Sequence, residues 1–246
     1  YPSGNDGFIG IVPDKEPKFG FHMSRYDNQL NTIWSSDYFP TKGMQIVMDA
    51  VSDKDKVVLL KYGVNSKMSK KLDVDITAFD NKTGKELWSF FTEGPVRVPP
   101  AGHNGRVYFC SDDGFMYCVD AETGKLQWKL RGGPSAQHAI GNQRIVSAWV
   151  ARGGPVIRDE TVYFAASIWP FMGTFIYAVD AESGVIQWVN DSTGSQYIKQ
   201  PHSAPSFAGV APQGVLVATD DLLLVPGGRS VPAAFDLSTG ALRYFK

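Results

Sequence analysis

The sequence predicts an all-β fold, a β-propeller of four-stranded antiparallel blades, with four clear repeats and one degenerate one. Three observations carry that prediction. An Asp-x-x-(Thr/Ser)-Gly-x-x-x-aromatic motif occurs four times. The chain holds 25 Gly, 15 Pro, 15 Phe, 10 Tyr and 6 Trp, a mixture suited to short strands and tight turns. No segment sustains the 3.6-residue period of a packed helix.

The four motifs are Asp80/Gly84/Trp88, Asp120/Gly124/Trp128, Asp180/Gly184/Trp188 and Asp236/Gly240/Tyr244. In each, a short apolar run reads as a strand. The Asp carboxylate then opens a turn by accepting backbone N–H groups, with Thr or Ser in support. Gly supplies the positive φ that a tight hairpin needs, and a second strand ends at the aromatic. Upstream lie further strands, at residues 57–60, 106–110, 161–166 and 222–225. Candidate first strands precede three of them, at 96–99, 154–157 and 214–217. Four strands per repeat make a propeller blade.

The motif aspartates are spaced 40, 60 and 56 residues apart. The first interval is a bare blade. The longer ones imply insertions of roughly 15–20 residues, in 132–151, 168–174 and 192–205, which repeat proteins gather on a binding face. Residues 26–34 read as a decayed unit that keeps Asp27 and Trp34 but lacks the Gly and is one residue short. Residues 1–54 thus form an irregular N-terminal part with a degenerate blade, and 55–246 the regular repeats. A shift from Lys to Arg near residue 90 marks either a second boundary or a different origin of the first part. So few units predict an open arc, a small five-bladed ring, or a ring completed by another chain.

Apolar residues make up 43% and charged residues 20%, enough for a sizeable core, and the net charge of −1 gives no basic surface for nucleic acid. No apolar run is long enough to span a membrane. The chain opens at Tyr1, so it reads as a processed product or a piece of something longer. Cys110 and Cys118 flank the turn Ser111-Asp112-Asp113-Gly114. A two-residue Asp113-Gly114 loop would place Cys110 opposite Tyr117 and leave the thiols unpaired.

These motifs resemble the Ala-x-Asp-x-x-x-Gly-x-x-x-Trp tryptophan-docking motif of quinoprotein-like (PQQ-like repeat) propellers, over roughly residues 55–246. Ala78, Ala178 and Ala234 fill the Ala position and Cys118 replaces it once. The resemblance implies that Trp88, Trp128 and Trp188 staple adjacent blades, and that the chain works in the periplasm or outside the cell. It also implies one of two functions. One is a non-catalytic binding or assembly scaffold, with no cofactor. The other is a fragment of a pyrroloquinoline-quinone-dependent dehydrogenase with calcium. The enzymes carry a vicinal Cys-Cys pair and a Glu-Asn-Asp calcium set; no Cys-Cys pair occurs here.

The residues themselves assemble no nucleophile, base and orienting acid. Asp112-Asp113-Gly114 reads as a hairpin turn, with a cation site as the alternative. Asn81-Lys82-Thr83 and Asn190-Asp191-Ser192 fit the glycosylation sequon. The candidate partner surface is Trp149, Arg152, Trp169, Phe171 and Arg229. Aromatic loop residues suit a protein or carbohydrate partner, and the two arginines could meet an anion at a channel mouth.

Overall fold

A computed structural model describes residues 7–13, 21–38, 44–52, 56–64, 72–141, 144–194, 196–199, 205–227 and 231–245. Their strands form five successive antiparallel meanders. Blade 1 holds β1 (Phe8–Pro13), β2 (Phe21–Tyr26) and β3 (Thr32–Tyr38). Blade 2 holds β4 (Met44–Ser52), β5 (Lys56–Val64), β6 (Leu72–Asp80) and β7 (Glu86–Phe91). Blade 3 holds β8 (Ala101–His103), β9 (Arg106–Cys110), β10 (Phe115–Asp120) and β11 (Leu126–Arg131). A hairpin of β12 (His138–Gly141) and β13 (Arg144–Ser147) follows. Blade 4 holds β14 (Ala151–Arg158), β15 (Thr161–Ala166), β16 (Phe175–Asp180) and β17 (Ile186–Asn190). After a second hairpin, β18 (Tyr197–Lys199) with β19 (Pro205–Phe207), strand β20 (Gly214–Val215) runs parallel beside β14. Blade 5 holds β21 (Val217–Ala218), β22 (Leu222–Val225), β23 (Ala233–Asp236) and β24 (Leu242–Tyr244). Among the described residues the ring of blades is not closed.

The expected boundary between 54 and 55 lies between β4 and β5, which pair in one sheet. The compositional shift near residue 90 coincides with the end of blade 2.

The core lies between blades, and strand periodicity divides it. On β10, Met116 and Cys118 pack toward blade 4 with Val162, Phe164 and Tyr177. Its alternate residues Tyr117 and Val119 pack toward blade 2 with Val58, Ile76 and Ala78. A middle strand is therefore covered on both faces and reads as a continuous apolar run, as β15 does. The outer strands β11 and β17 alternate. Cys118 and Cys110 are free and buried. Burial pushes the Cys118 thiol up to about 11 and Cys110 further still, so both are inert.

The motif turns are built as one design. Asp80 Oδ1 accepts from Lys82 N (3.0 Å), Thr83 N (2.7 Å) and Thr83 Oγ1 (2.8 Å), while Gly84 N donates to Asp80 O (2.8 Å). The glycines Gly84, Gly124, Gly184 and Gly240 have φ of 70, 68, 71 and 68°. In blade 1 the turn is one residue shorter. Asp27 Oδ1 accepts from Gln29 and Asn31 N, and Leu30 takes the positive φ (69°) in place of Gly.

Each motif carboxyl is held below the ordinary value. The first cause is the Thr or Ser hydroxyl at Asp80, Asp120 and Asp180, and Arg243 at Asp236. A carboxylate depressed by folding adds stability that is complete above its unfolded value and is lost as pH falls through its folded value. Chemical denaturation between about pH 5 and pH 2 is expected to show stability falling below about pH 4. Asp120→Asn is expected to shrink that fall. A stability unchanged across the range would refute the role of the turns.

Candidate functional site

In a four-stranded meander, the turn from second to third strand and the link to the next blade share one end of the sheet. Among the described residues, the three insertions within 132–150, 167–174 and 191–213 are of these two kinds. They therefore crowd one face, opposite the motif turns. Backbone bonds knit them sideways. Gly132 N donates to Gly114 O (2.8 Å), Ser147 N to Asp112 O (2.9 Å) and Ala151 N to Ser111 O (3.1 Å). Ser167 N reaches Val150 O (2.9 Å), and Thr174 Oγ1 reaches Val210 O (2.7 Å).

The candidate partner residues separate on this face. Phe171 is 69% exposed on a 3-10 turn, Pro170–Met172. Trp169 beside it is half-buried. Trp149 is buried, because its indole donates to Met172 O (2.7 Å) and its ring covers Gly133. It supports the Phe171 turn from beneath and cannot present its ring to a partner. Arg152 is no free cation: Nε and Nη2 grip Asp112 (2.8 and 2.9 Å). Arg229 lies outside the described residues. Sequence reading missed Ile140 and Ile145, directly opposed on β12 and β13 and 87% and 73% exposed. Apolar side chains in an insertion are their only signal.

The Asp112 turn is a hairpin turn, as expected, but its length is a correction. Ser111 N donates to Phe115 O and Gly114 takes φ 89°, so the loop has three residues, not two. Cys110 then faces Met116, not Tyr117. Asp112 is also no cation ligand. It is fully buried and Arg97 joins Arg152 on it, with Nε 2.6 Å from Oδ2. Burial raises the neighbouring Asp113, whose carboxylate accepts from Tyr117 Oη (2.7 Å) and Phe115 N (3.1 Å). Neither sequon offers a free amide: Asn81 is buried, and Asn190 Nδ2 donates to Gly240 O (2.7 Å).

The tryptophans link blades in series. The indole N–H of Trp34, Trp88, Trp128 and Trp188 donates to the carbonyl of Asn81, Ala121, Ala181 and Leu237, at 2.5, 3.0, 3.2 and 3.2 Å. Each acceptor follows the turn Asp of the next blade. Each indole lies over that turn's glycine, where an added Cβ would come within 2.4–2.8 Å. The small residues Ala78, Cys118 and Ala178 stand opposite the tryptophans on the neighbouring strand of the same blade. Trp88 is buried, but Trp128 and Trp188 are only half-buried, since they cap the edge of a blade interface. Tyr244 is 48% exposed.

Among the described residues no three His, Cys, Asp or Glu side chains come together to hold a metal ion. Asp112, the buried carboxylate of this face, is paired with Arg97 and Arg152. No described helix is long and apolar enough to cross a membrane.

Comparison with known proteins places the chain. Residues 72–244 match the family model described as "Outer membrane protein assembly factor BamB". The quinone-type alcohol dehydrogenase subunit of Gluconobacter oxydans is 32% identical over 126 residues, 45% of this chain and 16% of that protein. The tetrathionate hydrolase of Acidithiobacillus ferrooxidans is 27% identical over 194 residues, 75% of this chain and 34% of that protein. The chain thus spans only 16% and 34% of the length of these curated relatives. Among solved structures, BamB of Moraxella catarrhalis superposes with a TM-score of 0.59 at 16% identity, covering 96% of this chain and 60% of that one. Quinohemoprotein alcohol dehydrogenase of Comamonas testosteroni gives 0.58 at 16%, covering 98% and 44%. The repeat, the five blades and the match over most of the chain make it a member of the PQQ-like repeat β-propeller family, the family described as outer membrane protein assembly factor BamB.

Proposed function

We propose that this chain is a non-catalytic binding scaffold that docks a protein partner through its insertion-bearing face, in the periplasm or outside the cell. One observation carries the reading: the face is rigidly cross-bonded yet leaves Ile140, Ile145 and Phe171 uncovered. Trp169 would flank that apolar surface, with Trp149 bracing it. The family description, an assembly factor, supports a protein partner over a carbohydrate. The dehydrogenase relatives keep a second reading in play, a piece of a quinone-dependent enzyme.

The test replaces Phe171, Ile140 and Ile145 by Ser together. Partner binding is expected to weaken at least about tenfold, on the scale of roughly 1.4 kcal/mol, while the melting temperature stays within a few degrees because exposed positions contribute little. Undiminished binding would refute the docking face. Dye-linked alcohol oxidation after loading with quinone and calcium would establish the enzyme reading instead.

A further inference from the structure

We propose that Arg97 and Arg152, locked together by the buried Asp112, form an oxyanion-binding site on the insertion-bearing face, with small carboxylates and phosphate as the ligand class. The proposal stands apart from protein docking and does not require it.

The site is assembled from three segments. Arg97 precedes β8, Arg152 opens β14, and these first strands of blades 3 and 4 are neighbours. Asp112 is the second residue of the blade 3 turn. Its N–H donates to Pro95 O (2.8 Å) and its carbonyl accepts from Ser147 N (2.9 Å), so its backbone is fixed from both sides. The carboxylate is 0% exposed, while the Arg97 and Arg152 side chains are 32% and 20% exposed. Two positive charges therefore face one buried negative charge, and both guanidiniums reach solvent.

The donor count points the same way. Arg97 spends Nε on Asp112, and Arg152 spends Nε and Nη2. Among the described residues, Arg97 Nη1 and Nη2 and Arg152 Nη1 have no protein acceptor, and none of them is a buried orphan. Asp112 thus acts as a positioning residue that holds the Arg97 Nη1/Nη2 fork and the single Arg152 Nη1 donor in place. A guanidinium fork matches the paired oxygens of a carboxylate or phosphate. Fixing it beforehand removes part of the ordering cost of binding.

The other charges nearby do not fill the site. Asp113 spends its acceptors on Tyr117 Oη, Phe115 N and Glu93 N. Glu93 is exposed on the loop that leads to Arg97. Lys129 and Arg131 lie over the Phe115 ring at 4.7 and 4.8 Å, adding positive charge at this end of blade 3.

Calorimetry at matched ionic strength tests the site, with malonate, inorganic phosphate and chloride as separate titrants. Malonate or phosphate is expected to bind in the millimolar range or tighter, and chloride not at all. Whichever of the two binds more tightly identifies the ligand source. Arg97→Gln leaves Arg152 paired with Asp112, so the turn should persist; circular dichroism and melting check this. The variant is expected to bind at least about tenfold more weakly. Arg97→Lys restores charge without the fork and is expected to rescue poorly. A failure of malonate and phosphate to bind at about 10 mM would overturn the site. So would equal binding by a folded Arg97→Gln, or equal binding of chloride.

Discussion

Trp88→Ala is expected to destabilise the chain by about 3–5 kcal/mol, the usual cost of truncating a buried aromatic. Trp88 is 9% exposed and closes the cluster between blades 2 and 3 with Val58, Val107 and Phe109. Its loss also strips the Ala121 carbonyl of its donor. Trp88→Phe keeps the ring but not the N–H, and should fall about 1–2 kcal/mol short of wild type. Tyr244→Ala, at an exposed position, is expected to cost under about 1 kcal/mol. Urea denaturation of the three variants checks the order. A Trp88→Ala loss no larger than that of Tyr244→Ala would remove the tryptophan from the blade interface.

Gly124→Ala should cost about 2–4 kcal/mol, from two sources that can be separated. The backbone sits at φ 68°, where any Cβ is strained. The new methyl would also stand 2.7 Å from Trp88 Cδ2. Only the second cost depends on the indole. In a Trp88→Ala background the same substitution is expected to lose its steric part, giving a coupling of about 1–3 kcal/mol in a double-mutant cycle. Strict additivity would show that glycine serves the turn alone and not the seat of the ring.

The fold was legible because its rules are local. Asp, Thr and Gly at fixed offsets make the turn, and period-two alternation assigns each strand to two blade interfaces. The decayed unit was legible as well, through Asp27 and Trp34, although β4 lay hidden in a stretch with no turn motif of its own. The candidate site was far less visible. Arg97 and Arg152 are far apart in sequence and meet only because neighbouring blades set their first strands side by side. Each does stand three residues before a proline, Pro100 and Pro155, a faint sign of equivalent positions. Asp112 looked like turn chemistry because it is that too. Its burial follows from what packs on the turn, and no offset in the sequence encodes it.

The seating of each tryptophan on the next blade's glycine gives the row of blades a polarity. Plug and socket lie on opposite sides of every blade, so the contact is heterologous and could in principle add units head to tail without limit. Blade 1 breaks the symmetry. Where the other blades place the positive-φ glycine of the turn it carries Leu30, 69% exposed. A side chain at that position, in place of a bare glycine, sets blade 1 apart from the four blades whose glycine seats an indole.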